Sequence, residues 1–298
     1  MNPSQAARWQ NLVVGEVFKA IVANGPMRDA LIFKGARVLN LHLGTDRQSL
    51  DIDSNFATQF VREHPDLDSR KNWIESHITP ALRNFFESQN PVRYILQKVD
   101  VQQKPSKHPH VHGWTGLRVE IKVEDEKNKN IRGLPNAEID IAAPEEFGPD
   151  AVTEVALDGL KLRAYTLHRI AGEKLRAFLT SLPAYRLKNE REIRPHRAKD
   201  IHDLARILAA QPTAKEHFWR QAAAEFKIAC KCRYVDCAGL ETFQEDWDMT
   251  RQAYNADPTL SGISFREAED ALRLVTGLFD RFGVFPLLCQ QPPGRAES

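Results

Sequence analysis

Nowhere in the 298 residues is there an apolar run long enough to span a bilayer. The opening MNPSQAARWQ also lacks the apolar stretch of a signal peptide. A cytoplasmic protein with no membrane partner is therefore expected. Cysteine is scarce, and four in a chain of this length exclude a disulfide scaffold. Cys230, Cys232 and Cys237 cluster in ACKCRYVDCAG, but C-x-C-x4-C is not a zinc spacing and no nearby His supplies a fourth ligand. Reduced buried thiols are the expectation there. An excess of one charge is missing too: 41 Lys and Arg against 40 Asp and Glu leave a net +1. No global field draws nucleic acid, so any such binding must use a local patch. Walker loops, GxGxxG and Ser-His-Asp groupings are absent, and no internal repeat is visible.

What is present is a 42% apolar, 27% charged chain, enough for one large domain or two ordinary ones. Trp9, Leu12, Val13, Val17, Ile21 and Val22 follow helical spacing up to a stop at Gly25. A strand over 31–33, a helix over 37–43 closed by Gly44, and a strand over 49–54 come next. The spacing predicts a helix over 70–88, then strands at 93–101, 117–123 and 137–142, with 124–133 as the turn between the last two. LKLRAYT reads as one more strand leading to an N-cap at Thr166 and a helix through Leu182, ended by Pro183. Beyond it the pattern is helical. Thr213 with Glu216, and Ser264 with Glu267, have the spacing of capping boxes. The expected class is α+β: a small mixed-sheet domain over 1–155, a mostly helical domain over 156–290, and a disordered tail at 291–298.

The chemistry concentrates in LIFKGARVLNLHLGTDRQSLDID, residues 31–53. Asp51 and Asp53 flank Ile52 in an alternating segment, so both carboxylates leave one face of the sheet, about 7 Å apart. Such a pair repels itself unless a cation intervenes, and Mg²⁺ favours carboxylate oxygens together with phosphate oxygens. Upstream, Lys34, Gly35 and Ala36 form a strand-to-helix junction. A glycine at that point lets a phosphate approach backbone N–H groups. Arg47 and Ser49 lie just ahead of the acids. A phosphate cradle followed by a metal pair is the arrangement of a nucleotidyltransferase, and nucleotidyl transfer calls for a third carboxylate on a neighbouring strand. Asp140 has that context in AEIDIA, with Glu138 on the same face as its rival.

Further along, Lys174 lies two turns into the helix after Thr166, where a point charge reaches a triphosphate or simply faces solvent. The segment 186–199, RLKNEREIRPHRAK, holds six Lys and Arg against two Glu: either an RNA-phosphate surface or a solvated loop. Asp200 and Asp203 fall in a first helical turn, an ordinary place for dipole-stabilising acids. His108, His110 and His112 share one side of KHPHVHGW if it is extended, but Pro109 and the polar surroundings read as a loop.

The run from Leu31 to Asp53 resembles the first motif of the AbiEii/AbiGii abortive-infection nucleotidyltransferase toxins: a strand ending in Lys-Gly, a helix, then Arg-x-Ser-x-Asp-hydrophobic-Asp. LHRIAGEKLRAFL followed by AKDIHDL is similar to that family's later motifs, a helix with an essential Lys and a basic-Asp-x-x-Asp helix. The likeness spans about residues 30–210. It implies a polymerase-β-like fold, with Lys34, Gly35, Ala36, Arg47, Ser49 and Lys174 toward the nucleotide. Asp51, Asp53 and Asp140 would hold Mg²⁺ or Mn²⁺, and Asp200 would complete the catalytic set. It also implies an NTP substrate, an acceptor hydroxyl on tRNA or another RNA 3′ end, a role in phage defence, and an antitoxin from a neighbouring gene. Two positions depart from the family pattern: Ala36 where Gly or Ser is usual, and His202 where Tyr is common. Transfer to a small molecule or protein, and a silent binding module of the same fold, are the competing readings.

Overall fold

The computed structural model describes residues 2–106, 114–131, 133–189 and 196–289. His108, His110, His112 and the 291–298 tail lie outside the described residues. The chain divides into two compact units: residues 1–145 with 152–165, and residues 146–151 with 166–298.

The first unit opens with α1 (Pro3–Ala23), started by a capping box between Asn2 and Gln5. Val13, Val14, Val17 and Ile21 are fully buried along one stripe of that helix, each contributing about 1.5–3 kcal/mol. Asn24 ends α1 and caps α2 (Gly25–Ala30) by accepting the Met27 N–H, so Gly25 opens a second helix rather than only stopping the first. β1 (Leu31–Lys34) is buried throughout. It runs straight into α3 (Gly35–Leu43), which Gly44 closes in the left-handed conformation. Then come β2 (Asp51–Phe56), α4 (Thr58–Glu63) and α5 (Leu67–Ser88), whose Ile74, Ile78, Leu82 and Phe86 are buried. β3 (Tyr94–Lys104), β4 (Gly116–Asp125), β5 (Ala137–Ala142), β6 (Val152–Leu157) and β7 (Leu160–Tyr165) follow.

All seven strands form one mixed sheet in the order β3-β4-β5-β2-β1-β7-β6. β1 and β2 are antiparallel neighbours at the centre, while β2 with β5 and β1 with β7 are parallel. β6 is a strand that the sequence pattern did not predict. It pairs with β7 through an Asp158-Gly159 turn with both φ angles positive, at 48° and 81°, the geometry of a two-residue hairpin turn.

The second unit is helical: α6 (Leu167–Leu179), α7 (Pro183–Lys188), α8 (Ala198–Ala210), α9 (Glu216–Cys232), α10 (Leu240–Phe243), α11 (Trp247–Ala256) and α12 (Phe265–Arg281). Phe178, Phe226, Phe243 and Phe279 are fully buried at its centre. α6 and α9 touch backbone to backbone at Gly172: a Cβ there would sit 2.6 Å from Phe226 N and 2.7 Å from Ala222 O. Thr166 caps α6, and Ser264 and Glu267 form the predicted box on α12. Thr213 and Glu216 do not. A turn from Pro212 to Lys215 leaves Thr213 outside the helix, Lys215 is the N-cap without a side-chain bond, and Glu216 is the first helical residue. The predicted helix through Leu182 ends at Leu179, because Pro183 starts α7 as its first residue instead of merely terminating α6. No helix among the described residues is long and apolar enough to cross a membrane.

Candidate active site

Strand register builds the site in the first unit. β2 alternates around the buried Ile52, which leaves Asp51 and Asp53 on the opposite face. Asp53 is the Cα partner of Lys34 on β1 and of Asp140 on β5; Asp140 in turn faces Arg118 on β4. One rung thus reads Lys34, Asp53, Asp140, Arg118. Carboxylate oxygens of Asp51, Asp53 and Asp140 lie within 4.8 Å of one another, the only such metal-competent group among the described residues. Glu138, the rival on paper, pairs with Asp51 in register, but its carboxylate meets Arg118 at 3.7 Å and stays outside that group.

Local contacts hold the acids in place. Ser49 is buried; its Oγ donates to the Asp51 carbonyl at 3.2 Å and to Asp51 Oδ1 at 3.4 Å. Arg37 Nη2 donates to the Ser49 carbonyl at 2.7 Å and to the Asn11 carbonyl at 2.9 Å, and the Ser49 N–H donates to Asn11 Oδ1 at 3.0 Å. Burial lowers Arg37 to about 10, with Asp51 pulling the other way, so it remains a cation at neutral pH. Asp140 takes Lys104 Nζ at 2.5 Å on one oxygen and Arg118 Nε at 3.4 Å on the other.

Gly35 stands at the strand-to-helix junction with φ 75°, and a Cβ there would lie 2.8 Å from Asp53 Cβ. Only glycine fits both the backbone and the carboxylate beside it. Lys34, nearly buried, extends to Glu145 at 3.6 Å and lies 5.6 Å from the Tyr165 ring centre. Ala36 is buried, and the Arg47 carbonyl accepts from Asn40 Nδ2 at 2.7 Å. Arg37, Asn11, Lys104 and Arg118 were not singled out from the sequence. Arg37 had a signal, a charge on the apolar side of a short helix; Lys104 and Arg118 show only in the strand register, and Asn11 only through its bonds to Arg37 and Ser49.

The donor set suits a hard divalent cation, with three carboxylates, no soft ligand, and oxygens close enough to share one ion. Over residues 18–282 the chain matches the model for the nucleotidyl transferase AbiEii toxin of type IV toxin–antitoxin systems. The chain belongs to the AbiEii family. No curated protein matches it. AbiEii membership makes it a nucleotidyltransferase and implies a nucleotide substrate and a cognate antitoxin.

The two segments that resemble the family's later motifs meet in the second unit. Lys174 Nζ on α6 lies 3.1 Å from Asp200 Oδ1 and 2.7 Å from Asp203 Oδ2, both on α8. Lys174 is 8% exposed, Asp200 1% and Asp203 0%. Arg197 Nε reaches Asp200 at 2.6 Å and Arg206 Nη1 reaches Asp203 at 3.3 Å. Burial alone would lower the ammonium; Asp203 and Asp200 outweigh it and hold Lys174 raised. Burial opposes ionisation of Asp200, yet Arg197 and Lys174 keep its pKa below the usual range. His202, at the departing position, is buried with Nε2 3.3 Å from the Ser261 carbonyl.

The basic segment is less open than its composition suggests. Arg186 is buried, Lys188 pairs with Asp236 at 2.6 Å, and Arg197 serves Asp200; residues 190–195 lie outside the described residues. Cys230 and Cys237 are buried free thiols, and burial pushes Cys237 up to about 12. Their burial matches the expectation of reduced core thiols.

Proposed function

We propose that this chain transfers a nucleoside monophosphate from an NTP to an acceptor hydroxyl at an RNA 3′ end, tRNA foremost. In this reading Asp51, Asp53 and Asp140 hold Mg²⁺, with Mn²⁺ as its substitute. The supporting observation is the rung that sets Asp53 beside Asp140, with Asp51 completing the group inside 4.8 Å. When bound, the cation offsets charge on the triphosphate and lowers the pKa of the acceptor hydroxyl.

The chain's own residues supply the rest. Gly35 lets the Asp53 carboxylate lie against the start of α3, whose backbone N–H groups would take phosphate oxygens. Lys34, Ala36, Arg47 and Ser49 are the positions that the family likeness turns toward the nucleotide, and Arg37 with Ser49 fixes Asp51. The acceptor oxygen bonds to the α-phosphorus and the α–β bridging P–O bond breaks. Pyrophosphate leaves, and the hydroxyl proton passes to the Asp140 carboxylate. The family likeness assigns Lys174 to the triphosphate and Asp200 to completing the catalytic set. Unrestrained modification of tRNA would stop translation, in keeping with a toxin in the cytoplasm.

Purified chain incubated with Mg²⁺, total RNA and each labelled NTP tests this directly. We expect a labelled RNA band with one NTP, reduced about 10³-fold or more in Asp51→Asn. Equal labelling by Asp51→Asn would remove the acid from the chemistry. A second reading, transfer to a small molecule, is favoured by the internal pairing of Lys188 and Arg197. Labelled product of low mass, with RNA unlabelled, is its signature.

A further inference from the structure

The Asp140 carboxylate already carries a cation that belongs to the chain. Lys104 Nζ sits 2.5 Å from Asp140 Oδ2 although it starts two strands away, at the last residue of β3. Between them β4 offers Gly116 as the Cα partner of Lys104, a residue with no side chain to obstruct the crossing. Gly116 is itself imposed by packing, since a Cβ there would lie 3.2 Å from Ala143 N and closer still to the Ile141 carbonyl. Arg118, the direct neighbour on β4, divides its Nε between Asp140 at 3.4 Å and Glu138 at 3.7 Å. Lys104 therefore makes the shorter of these two ion pairs to Asp140, on a flexible arm whose side chain is 40% exposed.

We infer that Lys104 is a tethered counter-cation that holds Asp140 while the acid group lacks a divalent ion, and that binding of the ion displaces it. The inference rests on the reading of Asp51, Asp53 and Asp140 as a metal site. The physical ground is competition for the same oxygens. Asp53 and Asp140 are side by side on one rung, and two carboxylates so placed require positive charge between or beside them. Lys104 meets that need from within the chain. A divalent cation meets it more strongly and repels an ammonium bound to the same carboxylate. Lys104 thus weakens the intrinsic affinity of the site and keeps Asp140 oriented until an ion, or an ion with its nucleotide, arrives.

The test is direct Mn²⁺ binding, read from loss of the free-ion electron paramagnetic resonance signal, with no turnover involved. Lys104→Met should bind Mn²⁺ about five- to tenfold more tightly than the wild type, and Lys104→Arg, which retains the charge, should stay near it. In an Asp140→Asn background, Lys104→Met should change nothing. Melting curves without metal check that each variant is folded, which the exposed arm favours. An unchanged or weaker isotherm for folded Lys104→Met, with wild-type binding lost in Asp51→Asn, overturns the counter-cation role and leaves the metal site intact. Absence of Mn²⁺ binding in both wild type and Lys104→Met defeats the metal site itself, and this inference with it.

Discussion

Gly35 carries two constraints, a positive φ and the Asp53 side chain beside its missing Cβ. Gly35→Ala adds strain to the backbone and pushes on a carboxylate of the acid group. The expected outcome is a loss of about 1–2 kcal/mol in urea unfolding, together with a larger fall in nucleotide incorporation than in stability. A variant that loses stability alone would limit Gly35 to a turn. The residues legible in the sequence are those whose role is local. Gly35 announces itself by its place at a strand-to-helix junction, and Asp51 and Asp53 by alternation around one isoleucine. Asp140 and Glu138 could not be separated by pattern, since both alternate correctly. The difference is that the Asp140 carboxylate lies within 4.8 Å of those of Asp51 and Asp53, whereas Glu138 stays outside that group. Lys104 gave no signal at all, because its partner lies 36 positions along the chain, across another strand.

At the scale of elements, α6 and α8 are joined by buried charge, with Lys174 between Asp200 and Asp203. Lys174→Met removes the shared cation and leaves two buried acids with less compensation, a change that costs about 3–5 kcal/mol. Urea unfolding measures it, and the KM for NTP measured beside it separates anchoring from triphosphate contact. Anchoring predicts lost stability with KM unchanged in the folded fraction; phosphate contact predicts a raised KM. Linkage gives the pH dependence. The lowered pKa of Asp200 adds stability above its unfolded value, lost as pH falls through the folded one. The raised pKa of Lys174 adds stability that is full below 10.5 and lost as pH climbs through the folded value. Unfolding free energy followed against pH should therefore hold across the neutral range and fall in acid, with less acid dependence in Asp200→Asn. Gly172 joins α6 to α9 by the same closeness of backbones, so Gly172→Val should unfold the second unit at lower urea than wild type. Elements read well where period and N-cap agreed, as at the starts of α6 and α12. β6 escaped because its exposed strand has little apolar alternation, although Asp158-Gly159 is a hairpin signal that pattern reading alone could have used. The absent box at Thr213 shows the converse: correct spacing, but a proline turn that starts the helix later.

For the whole molecule, the question is what brings an acceptor to the acids. A net charge of +1 supplies no general attraction for RNA, and Lys188 and Arg197 are engaged by Asp236 and Asp200. Among the described cations of the 186–199 segment, Arg186 is buried as well, which leaves fewer of them to neutralise phosphates. Salt sensitivity counts such contacts, because each phosphate neutralised releases counterions and steepens the fall of affinity with ionic strength. A protein making 6–10 phosphate contacts loses about 10³–10⁵ in affinity between 50 and 200 mM salt. This chain should lose far less: the KM for RNA in the labelling reaction is expected to rise by about tenfold over that range, the response of two or three contacts. The KM for NTP measured in parallel controls for salt acting on the nucleotide. A steep slope would place a basic surface elsewhere on the chain and restore electrostatic capture of RNA. No dependence at all, with a low-mass product labelled, would give the acceptor role to a small molecule. A shallow slope with RNA labelled leaves recognition to a few contacts at the acceptor's 3′ end, where the chemistry needs them.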